Sequence, residues 1–207
     1  MTSIIQPAQL LSTARANLGQ LSVYTAMTFH DMKVRETSAN RGMWVDAITE
    51  MAGADKEDAH AWCAMFVETC WRMAGASAMS VIDTSRIDWG GSVHRNWVNT
   101  FKLNPGACIW RKDALDGTIK VLPGDALIRF ELITPSKGYV IGNAKNGHTE
   151  IVVQVHGDGR IDTVGGNTTS GDSRDGNGVF FKRGEYTLHQ DRVVGFIRPQ
   201  WRNSKVD

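Results

Sequence analysis

Apolar residues in the first part of the chain return at intervals of three and four. Leu10, Leu11, Ala14 and Leu18 do so around 7–17, before Gly19, and Met43, Trp44, Ala47, Ile48 and Met51 do so before Gly53. This spacing places them on one face of a helix, and glycine suits the left-handed residue at which helices stop. Two amphipathic helices are therefore predicted. The segment 61–74 is denser, carrying Trp62, Phe66, Val67, Cys70, Trp71 and Met73 up to Gly75. It reads as a buried central helix. Asp55, Lys56, Glu57 and Asp58 precede it, where acidic groups meet the positive end of the helix dipole. A further helix is expected over 93–101.

The period then changes. Segments 126–130, 148–155, 160–164, 179–182 and 193–197 are rich in β-branched and aromatic residues and lie between glycine-containing turns, so they read as short strands. The stretch 165–178, rich in Gly, Ser, Thr and Asp, reads as a loop. Helices followed by strands predict an α+β fold. A chain of 207 residues can bury a full core, and the expectation is one domain over 1–207.

Charge and cysteines narrow the partners. The 23 basic and 22 acidic residues give a net charge of +1 and are scattered without long runs, which argues against a nucleic-acid partner. Of the three cysteines, Cys63 and Cys70 would stand about 10 Å apart along one helix, too far to bridge. The N-terminus lacks a basic start followed by an apolar run, and no stretch is long and apolar enough for a membrane span. The expected product is a monomer made in the cytoplasm without a signal peptide and without membrane insertion.

The chemistry centres on Cys63. In the first turn of the third helix, unpaired backbone amides and the helix dipole stabilise a thiolate. A small buried hydrophobe is the competing account of the residue. His148 is expected at the mouth of a strand, after Asn146-Gly147. The turn at His156-Gly157-Asp158-Gly159 makes 148–167 a hairpin. With a two-residue loop, Asn167 faces His148 directly or pairs with Glu150 on the same side; a three-residue loop sends it to the other face. In the two-residue register, Asn167 would accept the Nδ1 proton of His148 and leave Nε2 for Cys63. Cys63, His148 and Asn167 then form a nucleophile, base and orienter.

These residues lie in an ordered set: Glu36 with Asn40-Arg41-Gly42, Trp62-Cys63-Ala64-Met65-Phe66-Val67, Pro123-Gly124-Asp125-Ala126, Gly147-His148, Gly165-Gly166-Asn167-Thr168 and Gly195-Phe196-Ile197-Arg198-Pro199. The set spans most of the chain and resembles CHAP-type amidases and endopeptidases and the wider NlpC/P60 group. The resemblance implies a papain-like core, with a central helix presenting the cysteine against an antiparallel sheet that carries the histidine. It also implies hydrolysis of an amide bond of peptidoglycan without a cofactor or metal. The Cys63 amide would donate to the oxyanion, with Asn40 as a second donor and Trp62 as a neighbouring oxyanion or substrate contact. Many CHAP members carry a Glu two residues before the Asn, where this chain has Gly165. Glu150 is the substitute in reach, with a solvated edge residue as the plainer reading of it.

The remaining candidates are weaker. His60 precedes Cys63 and reads as a surface or capping residue, and His30, His94, His156 and His189 lack metal-ligand spacing. Cys70 and Cys108 read as structural. Asp172, Asp175 and Asn177 lack the EF-hand pattern. Trp44, Trp62 and Trp71 fall on helix faces, leaving Trp89, Trp97 and Trp110 for a glycan groove. The role implied is an antibacterial secreted effector or a phage lysis enzyme, reaching the periplasm or wall by non-Sec export or lysis. An immunity or inhibitor protein would be a second partner. The alternatives are a cysteine protease or acyl transferase acting on protein, and a non-catalytic wall-binding module.

Overall fold

The computed structural model describes residues 7–55, 61–75, 93–133, 144–169 and 176–199. Helices α1 (Pro7–Asp31), α2 (Met43–Met51), α3 (Cys63–Met73) and α4 (Val93–Leu103) come first. Strand β1 (Cys108–Trp110), short helix α5 (Arg111–Leu115) and strands β2 (Ala126–Leu132), β3 (Ala144–Val155), β4 (Arg160–Thr168), β5 (Gly178–Thr187) and β6 (Val193–Ile197) follow. The class is α+β. The strands form one six-stranded sheet in the order β1-β6-β2-β3-β4-β5, and each pairing is antiparallel.

Because side chains alternate across a strand, the sheet buries two apolar clusters. Ala126, Ile128, Ile151 and Val164 pack with Phe66, Val67, Cys70 and Trp71 of α3 and with Val23, Ala26 and Phe29 of α1. Leu127, Val152, Ile161, Tyr186, Val193 and Phe196 form the second cluster. The central helix is thereby held against β3 and β4, the strands that carry the site.

Helix α1 runs well past the expected stop at Gly19. Val23, Ala26 and Phe29 continue its buried face, and Ser22, Thr25 and Thr28 return their hydroxyls to Gly19, Leu21 and Tyr24 carbonyls. Gly19 serves close approach instead: a Cβ there would stand 2.4 Å from the Pro123 carbonyl oxygen. The same turn receives the Trp71 indole, which donates to the Gly124 carbonyl at 2.8 Å. Asp125 is gripped by Arg198, whose Nε and Nη2 donate at 3.0 and 2.8 Å. Pro123-Gly124-Asp125 and Arg198 thus lock the sheet to the helices.

The strands are longer than their apolar runs. His148 lies inside β3 and only 8 % exposed, not at a strand mouth. Gly165, Gly166, Asn167 and Thr168 belong to β4, not to a loop. Strand β1 and helix α5 are additions to the expected elements, each too short to show a period in the sequence. The expectations for Lys56, Glu57, Asp58, His60, Trp89, Asp172 and Asp175 lie outside the described residues, as do those for the side chains of Leu10, Leu11, Ala14 and His94.

Candidate active site

Cys63 is the first residue of α3, after Trp62, whose carbonyl accepts the Phe66 amide at 2.9 Å. It is 3 % exposed. Burial alone would push the thiol up, but a hydrogen bond with His148, the imidazolium charge and the amides of Thr149 and Ala64 outweigh it and bring its pKa below the ordinary thiol value. Cys70 and Cys108 show the contrast: with no such partners, burial drives Cys108 up to about 12 and Cys70 higher still. All three cysteines are free.

The other ring nitrogen of His148 is committed. Nε2 lies 2.9 Å from Oε1 of Glu150, which is fully buried, leaving Nδ1 for Cys63. This reverses the expected assignment of the two nitrogens. Burial opposes charge on the imidazole, yet the bonds and charges of Cys63 and Glu150 raise its pKa to about 9. Burial also opposes charge on Glu150, but His148, Lys182 and Thr163 hold its carboxyl well below the usual range. The site is therefore a row in which the imidazolium of His148 stands between a thiol shifted toward its thiolate and a buried carboxylate.

Glu150 takes the place expected for Asn167, and it is not a solvated edge residue. The end of β4, rather than the hairpin turn, explains why. His156 N donates to the Arg160 carbonyl at 2.8 Å, so the turn holds Gly157, Asp158 and Gly159, the longer loop that would send Asn167 to the opposite face. A bulge between Val152 and Gln154 restores the register, and Ile151 pairs with Val164. Gly165 consequently stands across from Glu150: a Cβ on it would lie 2.6 Å from Glu150 Cγ. The missing side chain at 165 is the space that the Glu150 carboxylate occupies. Pairing is irregular between Gly165 and Thr168, and Asn167 adopts a left-handed φ of 51°.

With its amide oriented so that both ends find partners, Asn167 donates to the Gly176 carbonyl at 2.7 Å and accepts from Trp62 N at 3.3 Å. It braces the backbone just before Cys63 rather than orienting His148. Asn167→Ala should therefore lower stability by about 1 kcal/mol while leaving the pH dependence of Cys63 alkylation unchanged. Thermal melting and an iodoacetamide titration check both parts.

Trp62 is fully buried, and its Nε1 donates to Glu36 Oε1 at 2.7 Å; it anchors a loop and offers no open face to substrate. The other Glu36 oxygen accepts from Asn40 N at 2.9 Å. Asn40, with a φ of 54°, is thus tethered through Glu36 to the residue preceding Cys63. The Asn177 carbonyl accepts the Glu36 amide at 2.8 Å, joining this loop to the start of β5.

No family model, curated protein or solved structure matches this chain.

The other sequence candidates lie elsewhere. Trp97 is buried against Trp110, with ring centres 5.2 Å apart, so it lines no open groove. Trp44, expected in the core, is 37 % exposed. His156 faces Asp162 at 3.1 Å, and His30 Nδ1 meets the Phe181 amide at 3.3 Å. Among the described residues, no cluster of His, Cys, Asp or Glu is arranged to hold a metal ion. Thr163, Lys182 and Tyr186, absent from the sequence candidates, surround Glu150. No local pattern points to them, because the pairing of Thr163 with Lys182 across β4 and β5 is remote in sequence.

Proposed function

We propose that this chain is a papain-like cysteine hydrolase of the CHAP and NlpC/P60 kind that cleaves an amide bond of peptidoglycan. The observation that carries the hydrolase reading is the Cys63, His148 and Glu150 row at the start of α3. The ordered set of residues resembling those families supports the substrate class. A helix presenting a cysteine against an antiparallel sheet that bears the histidine is what a papain-like arrangement requires.

In this reading the Cys63 thiolate attacks the amide carbonyl carbon, and the oxyanion is met by the Cys63 amide and by Asn40. The C–N bond then breaks, and the His148 imidazolium gives its proton to the departing amine, leaving a thioester. Neutral His148 next takes a proton from water, whose oxygen attacks the thioester. The acid product leaves and the thiolate and imidazolium return. Glu150 keeps the imidazole ring in place and stabilises its charged form without itself gaining the proton. The biological setting that fits is an antibacterial effector or a phage lysis enzyme.

The test is digestion of purified Gram-negative and Gram-positive sacculi by wild type and Cys63→Ala, with released fragments read by mass spectrometry. Fragments from wild type alone are expected, and their masses name the bond. Turnover of a casein-type substrate with none of sacculi would transfer the site to a protein substrate. Wall binding without turnover, unchanged in the variant, would make the chain a binding module.

A further inference from the structure

Lys182 is 4 % exposed on β5, among the least usual places for an ammonium group. Its Nζ lies 3.2 Å from Glu150 Oε1 and 3.0 Å from Glu185 Oε1, and it donates to the Tyr186 hydroxyl at 3.5 Å. The same Glu150 oxygen takes His148 Nε2 at 2.9 Å and the Tyr186 hydroxyl at 3.1 Å, while Thr163 donates to the other oxygen. A buried ion pair is often replaceable by apolar side chains of similar volume at no loss of stability. Packing therefore gives no reason for a lysine here.

We infer that Lys182 is a positioning residue of the Cys63 site: it holds the Glu150 carboxylate charged and fixed beneath His148, and so sets the pH range over which Cys63 is a nucleophile. The inference rests on the cysteine-nucleophile reading but not on peptidoglycan as substrate. The charged and titratable groups in this cluster come from several elements. Cys63 comes from α3, His148 and Glu150 from β3, and Glu185 and Tyr186 from β5. The Arg129 and Arg192 guanidinium groups lie 5.9 and 5.5 Å from the Tyr186 ring centre. Within such a cluster, removing a positive charge makes every neighbouring group hold its proton more tightly, and removing a negative charge does the reverse.

The experiment is the pH dependence of Cys63 carbamidomethylation by iodoacetamide on the full chain, followed on the Cys63 peptide by mass spectrometry. It needs no substrate, so it stands whether or not sacculi are digested. Lys182→Met should move the thiolate midpoint to higher pH by roughly half a unit or more, or about threefold in rate on the acid limb. Lys182→Arg, which keeps the charge, should move it less. A Lys182→Met midpoint equal to wild type overturns the inference. If Lys182→Met does not fold, Glu185→Gln decides, since that side chain is 22 % exposed. A midpoint displaced to lower pH supports the role of Lys182, and an unchanged one overturns it. A lysine with a merely structural role would alter melting without moving either midpoint.

Discussion

On the proposed hydrolase reading, His148→Ala should yield a folded protein whose amide hydrolysis falls by about 10⁴-fold or more, the scale seen when one member of a nucleophile and base pair is removed. The fold should survive because the buried carboxylate beneath the histidine keeps other partners: Lys182, Tyr186 and Thr163 all remain on Glu150. The thiol should respond at once. Without the imidazolium, burial dominates, and the Cys63 titration should move above the ordinary thiol range toward that of Cys108. In the wild type the sign is opposite. The thiolate persists as pH falls below the usual thiol value, and the imidazolium is lost as pH rises through about 9. Activity should therefore form a plateau bounded above near pH 9. Fragment release, circular dichroism and an alkylation profile on the same preparation check the three parts. A variant retaining wild-type turnover would remove His148 from the mechanism.

Glu150→Ala should do damage of two kinds. Removing one partner of a buried ion pair typically costs about 3–5 kcal/mol. Here it leaves the His148 Nε2 proton, the Thr163 and Tyr186 hydroxyls and one side of Lys182 without their acceptor. Melting should fall by roughly 10 °C or more, given about 2–4 °C per kcal/mol in a chain of this size. Turnover should fall by about 10²–10⁴-fold, because the imidazole loses both its orientation and the charge that favours its protonated form. Glu150→Gln separates the two contributions, since its carbonyl still accepts from Nε2 while the charge is gone. The glutamine variant should melt closer to wild type and show a His148 limb displaced to lower pH. Alanine and glutamine variants with unaltered pH profiles would deny Glu150 any part in the site.

The exchange of Glu150 for Asn167 shows where a linear reading loses its grip. Periodicity placed Cys63 at a helix start and Glu150 two residues along the strand from His148, on the same face. What it did not contain was the turn length at Gly157-Asp158-Gly159 or the bulge between Val152 and Gln154. Together these decide which residue of β4 lies opposite Glu150. A one-residue change of register moves every side chain of a strand to the other face. Turn and bulge offset each other, so the choice of Glu150 over Asn167 falls to the irregular pairing between Gly165 and Thr168 and the left-handed φ of 51° at Asn167. Lys182 was hidden for a related reason: a lysine in a strand ordinarily reads as solvated, and only pairing with Thr163 brings it over a buried carboxylate.

Local patterns were enough for the α+β class, for α2 (Met43–Met51) and β6 (Val193–Ile197), and for a cysteine at the head of a buried helix, because each depends on spacing within a few residues. Gly19 resembles a helix stop in the sequence because its real constraint, the Pro123 carbonyl, is remote along the chain. The same holds for the site. Residue types and helix position nominated Cys63 and His148, whereas the tertiary structure alone decided which nitrogen faces the thiol, which carboxylate supports the ring and which buried cation stands behind it. Those are properties of side chains from different strands brought within hydrogen-bond distance, where burial makes each charge depend on its neighbours.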